Sequence, residues 1–286
     1  MAATKLRIGD TEVPRIGLGT NRLTYTRENI AFIQEAVAAG VDVPRIGLGT
    51  NRLTTAPEHV AFVREAVASG VRHLDTAHLY TGGQSEETIG AALSPVPEGV
   101  VVGTKGGFRP GEGRPEVLRA QIEQSLSRLQ ASSIELYYLH RVDPETPLEE
   151  SLGAIKEYVD AGKIRHVGIC EVGIEQVEQA RAVLPIAAVQ NHYNLSERKW
   201  EDVVDHCAGE GIVFVPFFPL RGEGGRALAE IAERHGATPT QITLAWLLRR
   251  SPAMLPIPGT GSVEHLEQNM AAGKLRLGAA EMAALQ

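Results

Sequence analysis

Cysteine is nearly absent. The two residues in 286, Cys170 and Cys207, stand in no metal-type spacing, which excludes a disulfide framework or a zinc ribbon. Aromatic residues make up only 5%, so any aromatic cluster near a site carries information. Long apolar runs are missing. The longest, Ile212 to Leu220, has 9 residues and contains two prolines, whereas a membrane helix needs about 20. No basic patch stands out, and 28 basic against 35 acidic residues give a net charge of −7, so neither nucleic acid nor a membrane is an expected partner. The opening MAATKLRIGD lacks the apolar core of a secretory signal. The expectation is a reduced, cytoplasmic chain. What is present, 43% hydrophobic and 22% charged residues, is the composition of a folded globular protein.

The chain repeats itself once. Residues 13–24 and 43–54 both read VPRIGLGTNRLT, and the two 30-residue units 13–42 and 43–72 share 21 identities. A solenoid needs at least three repeats, so this is a duplicated segment, natural or engineered. Each copy reads as a strand, PRIGLGT, followed by a helix whose apolar residues fall on one face: Ile30, Ile33 and Val37, or Val60, Val63 and Val67. Gly40 and Gly70 sit at C-cap positions. Thr55-Ala56-Pro57-Glu58 is a predicted capping box, so the second copy has the better helix start.

Beyond the repeat, strand and helix patterns alternate. Strands are predicted at His73–Thr76, Val100–Thr104, Ile134–Leu139, His166–Cys170, Ala187–Gln190, Ile212–Phe217 and Leu255–Ile257. Helices are predicted at 116–129, 147–161, 175–182, 200–209 and 239–250. Further capping boxes are predicted at Thr146 and Thr238. With one copy of IGLGT this makes eight strand–helix units, the pattern of a single (β/α)8 TIM barrel over residues 1–286. The open-sheet alternative wants G-x-G-x-x-G; Gly47-Leu48-Gly49 is followed by Arg52 where the third glycine belongs. KLRIGDTEV predicts an N-terminal β-hairpin. Eight strands close a barrel, so one repeat is surplus. The second copy joins the next strand directly, which leaves 13–42 as an extension on the N-terminal face, packed on its own barrel or on a neighbouring chain. The chain is thus expected to be a monomer or a weak homo-oligomer.

Barrel chemistry sits at the C-terminal ends of the strands. Polar candidates there are Asp75, Tyr80, Lys105, His140, Glu171, Gln190, Asn191 and Thr260. A tyrosine titrates near pH 10, and a nearby ammonium lowers that value. A buried lysine needs a counter-charge, which Asp75 can supply, and His140 can hydrogen-bond the same substrate oxygen. Together they make a proton donor to a developing alkoxide. No side chain donates hydride, so a nicotinamide cofactor is implied.

HLDTAHLY, VVVGTKGG, LYYLHRVDP, IRHVGIC, VQNHYN and LPIPGTGSVEHLEQN, in this order, resemble the aldo-keto reductases over nearly the whole chain except the extra repeat. The resemblance implies a (β/α)8 barrel that binds NAD(P)H and reduces carbonyls. It implies a tetrad of Tyr80 as general acid, Lys105 and Asp75 tuning it, and His140 orienting the carbonyl. For the cofactor it implies Gly49, Thr50 and Asn51 after the first strand. Gln190 would take the carboxamide, with Cys170 and Glu171 where Ser-Asn is common. Phe217 would stack on the nicotinamide, with Pro219 and Leu220 following it. Gly259, Thr260, Ser262, His265, Gln268 and Asn269 would line the adenosine phosphate and adenine. NADPH is favoured and NADH is the second candidate. No metal site is expected.

Two other functions compete. A non-catalytic nicotinamide-binding regulator would bind cofactor without turning over an aldehyde. A metal-dependent hydrolase would use His73, Asp75, His78, His140 and His192, would leave Tyr80 and Lys105 idle, and would lose activity to a chelator. The substrate is a small carbonyl compound, met by Phe108, Tyr137, Trp200, Phe217 and Phe218. The loops GGFRPGEGRP and RGEGGR are expected to be flexible closures on the same face.

Overall fold

The computed structural model describes residues 5–8, 11–14, 45–222 and 225–285. Except for Val13 and Pro14, the first repeat lies outside these residues, and with it the expected C-cap at Gly40. Strands β1 (Lys5–Ile8) and β2 (Thr11–Pro14) pair antiparallel with Ile8 opposite Thr11. This is the hairpin that KLRIGDTEV predicts.

Seven parallel strands follow in sequential order: β3 (Leu48–Gly49), β4 (His73–Asp75), β5 (Val101–Gly106), β6 (Ile134–Leu139), β7 (Ile164–Cys170), β8 (Ile186–His192) and β9 (Val213–Phe217). Helices stand between β3 and β4 at Pro57–Ala68, then at Gln84–Leu93, Pro115–Arg128, Leu148–Asp160, Ile174–Arg181 and Glu201–Glu210. After β9 come Gly225–His235, Pro239–Arg250, Val263–Ala271 and Ala279–Ala284. The predicted eighth strand, Leu255–Ile257, does not form. Pro252, Pro256 and Pro258 remove amide donors along that segment. It still touches both sheet edges: Leu255 N donates to Phe214 O at 2.8 Å, and Gly47 N donates to Pro256 O at 2.9 Å.

Strand alternation divides the core. Val101, Leu136, Tyr138, Cys170, Ala188, Val213 and Val215 form one buried cluster with Leu255 and Ile257. Leu74, Val102, Ile134, Tyr137, Leu139, Ile169 and Val189 belong to the larger cluster with the helices. Each fully buried aliphatic side chain is worth about 1.5–3 kcal/mol against exposure. Space on the inner side is tight. A methyl on Gly168 would overlap the Tyr138 ring, so the smallest residue is required there.

The second repeat supplies β3 and the helix Pro57–Ala68. Its Arg45, 4% exposed, donates to the carbonyls of Leu248 (2.6 Å), Ser251 (2.9 Å) and Pro252 at the C-terminal end of helix Pro239–Arg250. A guanidinium there complements unpaired carbonyls and the helix dipole. Capping departs from expectation in two places. The N-cap of Pro57–Ala68 is Ala56, with no side-chain cap, and Thr54 instead bonds His59 Nδ1. Thr146 turns to Asp143 rather than capping its helix. Thr238 and Gln241 form the expected box. Among the described residues no helix is long and apolar enough to cross a membrane.

Candidate active site

The register of the sheet collects the polar residues. Gly49, Asp75 and Gly103 are partners across β3, β4 and β5, so Lys105 rises two residues above Gly103 on the same face. Lys105 Nζ, fully buried, donates to Asp75 Oδ1 and to the Thr76 carbonyl, both at 2.6 Å. Asp75, 2% exposed, accepts on its other oxygen from Gln190 Nε2 at 2.7 Å. Burial opposes the ammonium. The negative Asp75, with Tyr80 and Cys170, outweighs it and pushes the Lys105 pKa up to about 12, so this lysine is charged at pH 7.

Tyr80 stands on a strained turn. Thr81 (φ 48°) is left-handed, as are Gly82 and Gly83 after it, a conformation that non-glycine residues adopt only when held. The hold is visible. Thr81 Oγ1 donates to Leu53 O at 2.6 Å, and Arg128 donates to His78 O at 3.0 Å. Arg128 also meets the fully buried Glu86, which accepts from Thr104 at 2.6 Å. The Lys105 ammonium lies 5.0 Å from the Tyr80 ring centre. Its pull was expected to lower the Tyr80 pKa. The net direction is upward, because burial outweighs Lys105. Tyr80 therefore keeps its proton at neutral pH and can serve as an acid.

His140 follows β6, 6.1 Å from the Tyr80 ring and nearly perpendicular to it. Burial, reinforced by the positive Lys105 and Arg141, pushes its pKa down to about 2. It is a neutral imidazole, and its Nδ1 is buried with no protein partner. Phe108 packs on it at 4.8 Å. The loop that carries Phe108 was expected to be flexible, but it is stapled. Gly111 N and Gly113 N donate to the two oxygens of Asp143 at 3.0 and 2.9 Å. Phe108 N and Arg109 N donate to Glu112, and Gly107 N to Gln121. Gly222 of the other glycine-rich loop is exposed, and Glu223 and Gly224 lie outside the described residues.

The residues expected at the nicotinamide end are already engaged. Gln190 gives its amide nitrogen to Asp75. Glu171, left-handed at φ 57°, accepts from the His192 amide. Cys170 is buried, and burial pushes its thiol up to about 12. Phe217 stacks on His192 at 5.2 Å and 14°. Pro219 is buried, while Phe218 and Leu220 are exposed. At the first strand, Thr50 is buried and bonds Asp75 O and Ser85, whereas Asn51 is exposed.

Among the remaining cofactor candidates, Gly259 bridges to Gly49. A methyl on Gly49 would come within 2.8 Å of Ile257 O. Ser262 caps the helix Val263–Ala271 and takes the Thr260 hydroxyl on its amide. His265 is exposed, and Gln268 pairs with Glu264. Asn269 is only 4% exposed, and its carboxamide has no hydrogen bond to the described residues.

Two expected pocket residues lie elsewhere. Tyr137 is fully buried on the helix side of the sheet, and Trp200 packs against that same core. Sequence reasoning passed over Arg141, Asp143, Glu86 and Arg128. The first two stand inside LYYLHRVDP, next to a residue that was chosen. The last two act only through contacts between elements. Among the described residues no group of three or more His, Cys, Asp or Glu comes together as a metal site.

Comparison with known proteins gives a consistent relation. The profile described as "Aldo/keto reductase family" matches residues 45–226 and 223–286. An uncharacterized oxidoreductase of Schizosaccharomyces pombe is 38% identical over 72% of this chain and 71% of its own. Pyridoxine 4-dehydrogenase of Escherichia coli is 37% identical over 72% of this chain and 78% of its own. An aldo/keto reductase of Klebsiella pneumoniae, crystallised with NADP and acetate, superposes with a TM-score of 0.76 at 31% identity, over 84% of this chain and 89% of its own.

Proposed function

Since the chain belongs to the aldo/keto reductase family, we propose that it reduces aldehydes or ketones to alcohols with NADPH, and that Tyr80 protonates the nascent alkoxide. The observation that carries this reading is the buried ammonium of Lys105, fixed by Asp75 and facing the Tyr80 ring at 5.0 Å. As the carbonyl oxygen gains negative charge, the Tyr80 hydroxyl donates its proton to it. The phenolate left behind is stabilised by Lys105. His140, neutral and 6.1 Å from the Tyr80 ring, is suited to hydrogen-bonding the same oxygen without competing as an acid.

The candidate residues suit a dinucleotide better at its adenosine end than at its nicotinamide end. Asn269, buried with an uncommitted carboxamide, has the right groups to read an adenine edge. Thr260, Ser262 and the amides at the start of Val263–Ala271 would take a phosphate. Phe217 offers a ring to the nicotinamide, and Gln190 offers its amide oxygen. When bound, the cofactor supplies hydride to the carbonyl carbon. NADPH is preferred because two Klebsiella pneumoniae aldo-keto reductases with this fold are crystallised with NADP or NADPH. The architecture belongs to the same proposal. Residues 43–72 fill the first position of a (β/α)8 ring that the segment after Pro252 completes, and 13–42 is the surplus copy on the N-terminal face.

The test is loss of NADPH absorbance with 4-nitrobenzaldehyde, with NADH run alongside, for the native chain and Tyr80→Phe. Turnover that falls roughly 10²–10⁴-fold in Tyr80→Phe, with cofactor binding kept, supports the acid role. Cofactor binding with no turnover by the native chain would favour the regulator instead.

A further inference from the structure

Arg141 has no part in the proton transfer, yet it occupies a telling place. It follows His140 at the top of β6, and one guanidinium nitrogen donates to the His140 carbonyl at 2.7 Å. The guanidinium carbon lies 5.3 Å from the Phe108 ring and 5.8 Å from the Phe217 ring. Phe108 comes just after β5 and Phe217 ends β9, four strands apart in the sheet order. A group within 6 Å of both rings lies across the mouth of the barrel, above the interior column that holds Lys105. The influence of Arg141 on His140 and on Cys170 agrees with that central position.

Among the described residues this cation is uncompensated. It forms no ion pair with any described carboxylate. Glu171, the acid at the neighbouring strand end, is bound to the His192 amide. A half-buried guanidinium with free N–H groups, framed by two aromatic faces, is a receptor for a planar anionic group carried on an apolar body. We propose that Arg141 selects carbonyl substrates bearing a carboxylate. The apolar part would lie against Phe108, and the carbonyl would point to Tyr80 and His140. This deepens the reductase reading and rests on it.

The test compares 4-nitrobenzaldehyde with 2-, 3- and 4-carboxybenzaldehyde, on the native chain, Arg141→Gln and Arg141→Lys. The readout is the ratio of kcat/KM for a charged over the neutral substrate. Loss of the bond to the His140 carbonyl affects both substrates and cancels in that ratio. The expected result is a ratio that falls roughly 10- to 100-fold in Arg141→Gln. Arg141→Lys should recover part of it, and the best isomer reports the reach from carbonyl to cation. An unchanged ratio overturns the proposal.

Calorimetric binding of benzoate to the native chain and Arg141→Gln separates this proposal from the reductase reading. If 4-nitrobenzaldehyde is not reduced at all, the reductase reading fails. Benzoate binding that is lost in Arg141→Gln still supports the anion site, and benzoate binding that is absent or unaffected overturns it. Circular dichroism on each variant excludes unfolding as the cause of a loss.

Discussion

Asp75→Asn removes one charge and little volume, and its consequences can be worked from the contacts. Lys105, fully buried, would keep only the Thr76 carbonyl and a neutral amide. Breaking one side of a buried ion pair costs about 3–5 kcal/mol, since the survivor stays desolvated. For a chain of this size that corresponds to a fall of about 10 °C in Tm. The largest influence on Lys105 is burial, which disfavours its charge, and Asp75 is the first to oppose it. Without Asp75 the strongest opposition to burial is gone, and the pKa falls. In the native chain the folded value is the higher one. Stability from this pair is therefore full below pH 10.5 and fades as the pH climbs through about 12. In Asp75→Asn that loss moves to lower pH. Turnover should fall roughly 10²-fold or more, since the Lys105 ammonium beside Tyr80 loses the carboxylate that fixes it. Urea unfolding of Asp75→Asn, Lys105→Met and the double variant is the assay. If an orphaned charge causes the loss, the double variant is more stable than Asp75→Asn. A double variant whose loss equals the sum of the two singles would refute the reasoning.

Other consequences are as direct. His73, with both ring nitrogens buried and unpartnered, is pushed by burial from 6.5 down to about 4, and His140 to about 2. Both are neutral in the fold, so the unfolded chain takes up the protons. Stability should fall as the pH drops below 6.5, by about 1.4 kcal/mol per pH unit for each histidine. His73→Leu should halve that slope, as read by urea unfolding at pH 7, 6 and 5. Gly168→Ala should cost about 1–3 kcal/mol by overpacking against Tyr138, measured by the same method. Asp143→Ala should free the 107–114 loop, raise KM several-fold more than it lowers kcat, and cost about 2 kcal/mol. Equal effects on KM and kcat would mean that the staple does not position Phe108.

The alternation of apolar runs and Gly/Pro punctuation made most strands legible to within a residue or two, because strand and helix periods are local properties. Ile134–Leu139 and Pro239–Arg250 form over the predicted residues. The failures are places where a distant partner decides. Leu255–Ile257 reads as a strand by composition, but prolines beside and within it leave only bridges. Thr146 reads as a cap, but Asp143 claims its hydroxyl. A run of glycines reads as slack, yet the amides of Gly111 and Gly113 converge on Asp143, and that of Gly107 reaches Gln121. The candidate residues could be chosen by type and position. Their charge states could not, because the upward direction at Tyr80 is a contest between burial and Lys105, and burial is a property of the finished fold.

The same contacts bear on the duplicated segment. Asp75 is held from Thr50, Lys105 and Gln190. The Tyr80 turn is held from Leu53 and Arg128, and Phe108 by the staple on Asp143. Each of these fixings comes from residues between 50 and 190, and Arg45 ties the second copy to the end of helix Pro239–Arg250. Residues 13–42 supply none of them. Deleting that unit joins Glu12 to Val43 and so restores the sequence TEVP of β2 in front of the second copy. The hairpin and the first barrel position then connect as the sequence before Pro14 already does. The expected outcome is a folded chain whose kcat/KM for 4-nitrobenzaldehyde stays within about twofold, since none of the fixings named above is touched, and whose Tm does not fall. If deletion unfolds the chain or abolishes cofactor binding, the first copy is part of the barrel and the second is the insertion.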